Sequence, residues 1–434
     1  MKLAKKLIAS CLVVAMMITC ASLSLAAEND ETTAPESAIQ LSEAEILVAV
    51  NDLIEAEEEY YDIKDITVAN IVTEEKSDGT TETTCSIEFA MQLKAQSLEE
   101  LPYIEGLLKT VGVNSIDDCT VENVAEANVA EQTLGPQIAK ISAPLSASAL
   151  ADGEVMGETA LIDRAVSLAA TETVAMAMEY SEYIGTTSEI AFDVLIRTDS
   201  AGNITEVLGL GGTEGPQYTT FPLSDYFPQS EQSMMASAQS DLINTVSTKL
   251  KMELQSGSVK PQGALYPYKR ISARNYAKTY SSEASASSKC PHGNTRIDLS
   301  KYNGNYIYYC HKDCANYVSQ AMAAGQCPQD ATWRYDAASK SSTEAWRRVT
   351  KMYEYFTEMK YWSASSFTNC NAGGIIINEN ASGTKYHVNM CVLNDTVNRA
   401  YAAHNADHNN KAYGSGYWGS DTVYYFVFTV RVDE

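Results

Sequence analysis

The sequence predicts an α+β protein, because segments with apolar residues at helical spacing alternate with pairs of segments that resemble β-hairpins. Of the 434 residues, 45% are hydrophobic and 20% are charged, a composition typical of a globular protein that can bury a core. A chain of this length has room for about two or three domains.

Helical spacing is clearest at Ser42–Glu59, where Ile46, Val50 and Leu53 fall on one face. Glu45 follows Ser42 by three residues, which is the pattern of a capping box. Further helices are predicted at Leu98–Val111, Leu161–Tyr180, Gln232–Leu254 and Tyr268–Tyr280.

Two hairpins are predicted in the first half of the chain. One pairs Ile66–Val72 with Thr83–Leu93, and the other pairs Ile190–Arg197 with Ile204–Leu208. Both connecting turns contain Asp and Gly, which tolerate the backbone angles of tight turns.

The charge of the chain changes near residue 267. Residues 28–266 include 42 acidic and 10 basic side chains, whereas residues 267–434 include 14 acidic and 18 basic ones. Such a change is typical of a domain boundary. We therefore predict an acidic α+β accessory region at 42–254, of one or two subdomains, a Gly- and Ser-containing linker at 255–267, and a C-terminal domain at 268–434. The acidic half should repel nucleic acid.

The N-terminal residues resemble an export signal. Three lysines precede an apolar run at 7–19, which is too short to span a bilayer and is followed by small residues. We predict a signal peptide at 1–26 and a flexible leader at 27–41, so that the mature protein is secreted or associated with the cell wall and has no integral membrane segment. A lipoprotein signal ending at Cys20 is an alternative, which Thr19 disfavours.

Eight of the ten cysteines follow the predicted signal and would lie in a compartment where disulfides form. We predict the bridges Cys85–Cys119, Cys290–Cys310 and Cys327–Cys370, with Cys391 as a buried free thiol. The connectivity stays open, because sequence alone does not fix which cysteines pair.

The strongest candidate for a nucleophile is Cys314. It follows Asp313 at the start of a predicted helix that ends near Gly325. Unpaired N–H groups and the positive end of the dipole at a helix N-terminus favour a thiolate, which is the attacking form of cysteine. All five histidines lie beyond residue 290, so the acidic half offers no imidazole.

The residues at 313–320, Asp-Cys-Ala-Asn-Tyr-Val-Ser-Gln, resemble the signature of the bacterial amidase-domain family, whose members are papain-like cysteine hydrolases. The resemblance covers about 268–434. It also includes Tyr268-Lys269-Arg270, Ala324-Gly325, Trp333, Ser342-Thr343 and Trp346. The chain departs from the family pattern at Lys312, Ala315 and Gln326, and Cys290 and Cys310 are additions.

This resemblance implies a papain-like domain in which helices pack on an antiparallel sheet. It also implies that Cys314 is the nucleophile and that the catalytic histidine opens a strand, which corresponds to His387. If residues 395–396 form a two-residue hairpin turn, His387 lies opposite His404, which would orient the imidazole of His387. A slip of one residue would place Asn405 there instead. We prefer His404.

These residues predict acyl transfer at an amide bond through a Cys–His acyl-enzyme mechanism. By analogy with the family, the leading substrate is a peptidoglycan stem peptide. The alternatives are a peptidase acting on extracellular proteins and a catalytically dead surface binding module.

No cofactor or resident metal is expected, and the oligomeric state stays open. A zinc site built from Cys290, His292, Cys310 and His311 with Cys314 is a rival that the spacing disfavours.

Overall fold

A large, mostly antiparallel β-sheet organises the protein. The computed structural model describes residues 40–119, 174–212, 219–255, 268–281, 288–289, 296–297, 299–309, 312–358, 362–404, 408–414, 416–428 and 431–432. The predicted signal peptide, the leader, most of the linker, most of the predicted helix at 161–180 and the Cys290–Cys310 pair lie outside these ranges.

The described chain forms helices and strands in alternation. In chain order the helices are α1 (Glu43–Ala49), α2 (Asn51–Glu57), α3 (Pro102–Val111), α4 (Glu231–Gln255), α5 (Arg270–Thr279), α6 (Cys314–Ala324), α7 (Glu344–Arg347) and α8 (Val349–Glu358). The strands are β1 (Tyr61–Glu75), β2 (Thr81–Leu93), β3 (Thr187–Thr198), β4 (Ile204–Gly211), β5 (Thr219–Pro222), β6 (Tyr268–Lys269), β7 (Ser288–Lys289), β8 (Arg296–Ile297), β9 (Tyr335–Asp336), β10 (Ser341–Ser342), β11 (Trp362–Ser365), β12 (Ile375–Glu379), β13 (Lys385–Asn394), β14 (Arg399–Ala403), β15 (His408–Ala412), β16 (Thr422–Phe428) and β17 (Arg431–Val432).

The strands of the large sheet lie in the order β1-β2-β3-β15-β14-β13-β12-β16-β11, and β4 and β5 extend from β3. Both predicted hairpins are present, as β1–β2 and β3–β4. The α+β prediction is therefore confirmed.

Strands β3 and β15 join the acidic part of the chain to the C-terminal part. They pair in parallel, with Lys411 opposite Ala191. The buried Lys411 ammonium donates to the Asp193 carboxylate over 2.5 Å and to the Ser86 hydroxyl over 3.0 Å. The two parts are thus connected by one continuous sheet as well as by the polypeptide between them.

Local sequence signals account for the ends of several helices. Ser42 caps α1, and the reciprocal bonds of the predicted capping box with Glu45 are both present. Helix α3 begins at Pro102, a position where the missing N–H of proline costs nothing, and Gly112 ends it in the left-handed conformation. Among the described residues, no helix is both long and apolar enough to cross a membrane.

A polar cluster is buried where α2 and β1 meet the turn between β13 and β14. The Tyr61 hydroxyl donates to both carboxylate oxygens of Asp395 over 2.9 Å. Glu57 is fully buried and accepts a hydrogen bond from the Asn398 side chain. Burial raises the pKa of Glu57 to about 8 and that of Asp395 to about 6.

Two predicted disulfides are absent. Cys85 and Cys119 are buried thiols in the core, and burial raises the pKa of Cys85 to about 12 and that of Cys119 to about 11. Cys327 and Cys370 are also in no disulfide. The predictions failed because each of these cysteines serves as a small apolar core residue, a use that sequence does not distinguish from a bridge. Cys391 is a buried free thiol, as predicted.

Candidate active site

Helix α6 places Cys314 at its first position. Gly325 ends the helix, so both predicted boundaries are confirmed. The backbone N–H of Tyr317 donates to the carbonyl of Asp313 over 2.8 Å and closes the first turn. Cys314 is only 3% exposed, so the thiol lies at the positive end of the helix with little access to water.

Asp313 occupies the N-cap position, but its side chain makes no capping bond. One carboxylate oxygen accepts from the Tyr309 backbone N–H and from the Asn316 side-chain amide, each over 2.8 Å. The other oxygen bonds to Nδ1 of His404 over 2.7 Å. Three hydrogen bonds thus hold the Asp313 carboxylate in place, one residue before Cys314.

Polar residues inside α6 anchor the helix to two tryptophans. The indole N–H of Trp346 donates to the Asn316 side chain over 2.8 Å. Ser319 donates to the carbonyl of Trp346 over 2.8 Å and accepts from the indole of Trp333 over 3.0 Å. Both tryptophans are fully buried. These contacts hold α6 against the two buried tryptophans in the core.

His387 lies on β13 and is fully buried, opposite Asn378 on β12. The β12–β13 register shifts immediately beyond this pair, so that Tyr386 is the extra residue of a bulge. Bulges of this kind change the direction of neighbouring side chains and are frequent beside active sites.

Asn389 holds the imidazole of His387. Its side-chain oxygen lies 2.6 Å from Nε2 of His387, and its amide group donates to Asn378 over 3.2 Å. An amide oxygen only accepts, so Nε2 carries a proton, and in the neutral tautomer this leaves the lone pair on Nδ1. Sequence analysis missed Asn389. The signal was present, because residues two apart on a strand face the same side.

His404 does not lie in the predicted register. The turn between β13 and β14 contains four residues, because Asn394 pairs with Arg399, and a further register shift lies between Cys391 and Leu393. The Asp395 carboxylate accepts from the N–H groups of Val397 and Asn398 and shapes this longer turn. Met390 pairs with Ala402, which differs by one residue from the register of a two-residue turn at 395–396, so the predicted turn was wrong.

Both ring nitrogens of His404 are engaged. Nδ1 bonds to the Asp313 carboxylate, and Nε2 lies 2.5 Å from the backbone carbonyl oxygen of Tyr280. His408 nearby is neutral at ordinary pH, because burial lowers its pKa to about 3.

The fold packs the two chemically important elements together: α6, which begins with Cys314, lies directly on β13, which carries His387. Helices α5 and α8 cover the same strand. No group of three or more His, Cys, Asp or Glu side chains in the described ranges is arranged to hold a metal ion. The other four ligands of the zinc alternative lie outside those ranges.

Comparison with known proteins gives one finding. Residues 267–427 match a family model described as a putative amidase domain. No curated protein and no solved structure is significantly similar to the chain. The match supports the amidase-domain resemblance and amide hydrolysis as the associated activity. It covers α5, α6 and β13, and therefore Cys314 and His387.

Proposed function

We propose that the chain is a secreted cysteine hydrolase that cleaves an amide bond in peptidoglycan stem peptides. Cys314 is the nucleophile, His387 the base and Asn389 the residue that orients the base. The observation that carries the proposal is the packing of α6 on β13 together with the 2.6 Å bond that fixes the His387 ring.

The tautomer set by Asn389 assigns the direction of proton transfer. Since Nε2 of His387 bears a proton, Nδ1 accepts the proton of the Cys314 thiol. The sulfur attacks the amide carbonyl and forms a C–S bond, and collapse of the tetrahedral intermediate breaks the C–N bond. The amine leaves with the proton from Nδ1, and water then hydrolyses the thioester to a carboxylic acid. The N–H of Cys314 is a candidate donor to the oxyanion.

The site is closed to solvent. Cys314 is 3% exposed and His387 is fully buried. A peptide substrate reaches the sulfur only if residues covering the site move. The same burial would also suit the alternative of a dead binding module.

Selective alkylation tests the nucleophile. The native protein is treated with iodoacetamide and the modified cysteines are located by mass spectrometry. We expect Cys314 to react faster than Cys391, a fully buried thiol of the same chain that serves as internal control. His387→Ala should remove the difference, because the thiol then lacks its base. Equal rates for Cys314 in wild type and His387→Ala would contradict the proposal.

A comparison of two polymers tests which amide bond the enzyme cleaves. Purified peptidoglycan and casein are incubated with wild type and with Cys314→Ser, and released amines and carboxylic acids are measured. Cleavage of peptidoglycan alone supports the proposal, and cleavage of casein alone favours the extracellular peptidase. Alkylation without cleavage of either polymer would overturn the stem-peptide substrate while leaving the nucleophile in place.

A further inference from the structure

His404 lies in an unusual environment beneath the start of α6. Nδ1 lies 2.7 Å from a carboxylate oxygen of Asp313, and Nε2 lies 2.5 Å from the carbonyl oxygen of Tyr280. The ring is 2% exposed and the Asp313 side chain is fully buried. Both partners are hydrogen-bond acceptors unless Asp313 takes up a proton.

Hydrogen bonding decides where the protons are. The Tyr280 carbonyl cannot donate, so Nε2 of His404 carries a proton. At Nδ1 the proton sits either on the ring or on Asp313. The Asp313 carboxylate already accepts from the Tyr309 N–H and the Asn316 amide, so its neighbours treat it as an acceptor. The second proton therefore belongs to the His404 ring.

Two aromatic rings favour the resulting cation. The rings of Tyr302 and Tyr317 both stack on the imidazole ring of His404. The ring centroids are 4.2 Å apart for Tyr302 and 4.0 Å apart for Tyr317. The electron-rich faces of aromatic rings attract cations, most strongly away from water. The Tyr317 hydroxyl donates to the Ala277 carbonyl over 2.7 Å, which fixes the position of that ring.

We propose that His404 is a permanent imidazolium and a positioning residue for Cys314. Its charge neutralises Asp313, the residue that immediately precedes the nucleophile. Without that neutralisation, a buried carboxylate would oppose the formation of a thiolate one residue away, since like charges repel in a medium of low dielectric constant. This part of the inference rests on the proposed role of Cys314, whereas the protonation state of His404 does not.

Ring nitrogen resonances test the protonation state directly. The full chain is labelled with ¹⁵N-histidine and its five histidines are observed from about pH 6 to pH 9, a range in which an ordinary imidazole, with a pKa of about 6.5, loses its proton. We expect both nitrogens of His404, assigned by comparison with His404→Gln, to keep imidazolium shifts throughout. His408 should stay neutral and serves as internal control. A neutral His404 at pH 7 would overturn the proposal.

A pair of substitutions tests the charge argument with alkylation of Cys314 as readout. His404→Gln should slow the reaction by about tenfold at pH 7, because the Asp313 carboxylate beside the thiol is then uncompensated. Adding Asp313→Asn should restore most of the rate, because the uncompensated carboxylate is then gone. A purely structural role predicts that the second substitution slows alkylation further, and that result would also overturn the proposal.

Both experiments remain informative if the proposed hydrolysis is not found. The nitrogen shifts are measured without substrate, and the alkylation series compares variants by thiol reactivity alone. Failure of wild type to cleave any amide, together with an imidazolium at His404 and rescue by Asp313→Asn, would reject the proposed function and keep this inference.

Discussion

Asn389 accepts a hydrogen bond from Nε2 of His387 over 2.6 Å, two positions further along the same strand. This bond sets the tautomer of a fully buried imidazole and links it through Asn389 to Asn378 on the neighbouring strand. The orienting contact thus comes from within β13.

Substitution of Asn389 should reduce catalysis. Asn389→Ala removes the acceptor, and we expect kcat to fall by roughly 10- to 100-fold, a part of the ~10²–10⁴-fold that a positioned base contributes. KM should change little, because the residue touches the base and no substrate group is assigned to it. Asn389→Asp keeps an acceptor oxygen and is the matched control, expected to retain more activity. An unchanged kcat in Asn389→Ala, measured by steady-state hydrolysis, would show that the bond does not orient the base.

Glu57 should make stability decrease as the pH rises. Its pKa of about 8 in the folded state lies above the ordinary carboxyl value of about 4.5, so the fold accommodates the protonated form. The contribution of protonated Glu57 to the free energy of unfolding is therefore complete below about pH 4.5, and it is lost as the pH rises through 8. The full shift corresponds to an upper limit of roughly 5 kcal/mol.

Glu57→Gln tests this prediction, because it mimics the protonated carboxyl. Urea unfolding should show the variant to be similar to wild type near pH 4.5 and more stable than wild type near pH 9. Asp395, whose pKa rises to about 6, contributes a loss of the same sign between about pH 4 and pH 6, and this loss remains in the variant. A stability difference that does not change with pH would contradict the assignment to Glu57.

The ion pair between Lys411 and Asp193 should stabilise the junction of β15 with β3. The Lys411 side chain is 3% exposed and that of Asp193 is 18% exposed. Asp193→Asn deprives a buried ammonium of its carboxylate, and we expect a loss of about 3 kcal/mol in the free energy of unfolding. Lys411→Met should cost less, on the order of 1 kcal/mol, because water reaches the remaining carboxylate.

A double-mutant cycle measures the pair itself. The combined variant Lys411→Met with Asp193→Asn should be more stable than Asp193→Asn alone, since no unpaired charge remains. Additive effects in chemical denaturation would mean that the two charges do not interact.

Within the part of the chain that the structure describes, six cysteines are thiols and should become reactive once the chain is unfolded. Alkylation in denaturant without reductant should modify Cys85, Cys119, Cys314, Cys327, Cys370 and Cys391. Mass spectrometry of a non-reduced digest checks this outcome. A peptide pair joined through Cys85 and Cys119, or through Cys327 and Cys370, would contradict the structure.

Local signals in the sequence were sufficient for much of the secondary structure. The capping box at Ser42, the two hairpins and the helix Cys314–Ala324 were all predicted, because each depends on residues a few positions apart. The family signature at 313–320 was equally local, and the match at residues 267–427 agrees with it.

Relationships between distant strands and helices were not predictable in the same way. The shared sheet depends on the meeting of β3 with β15, whose paired residues Ala191 and Lys411 are far apart in the chain. The register of β13 on β14 depends on a bulge and on a four-residue turn held by Asp395. A one-residue change in that register moved His404 away from its expected place opposite His387.

The sequence by itself determined the α+β class, the nucleophile candidate at the start of a helix and the histidine on a strand, since helix periodicity, strand alternation and capping are encoded over short distances. Only the tertiary structure decided that Asn389 holds His387, that His404 pairs with Asp313, and that Cys85 and Cys119 remain thiols. These outcomes depend on which buried donors, acceptors and sulfur atoms meet after packing, and packing is set by the whole chain rather than by any local segment.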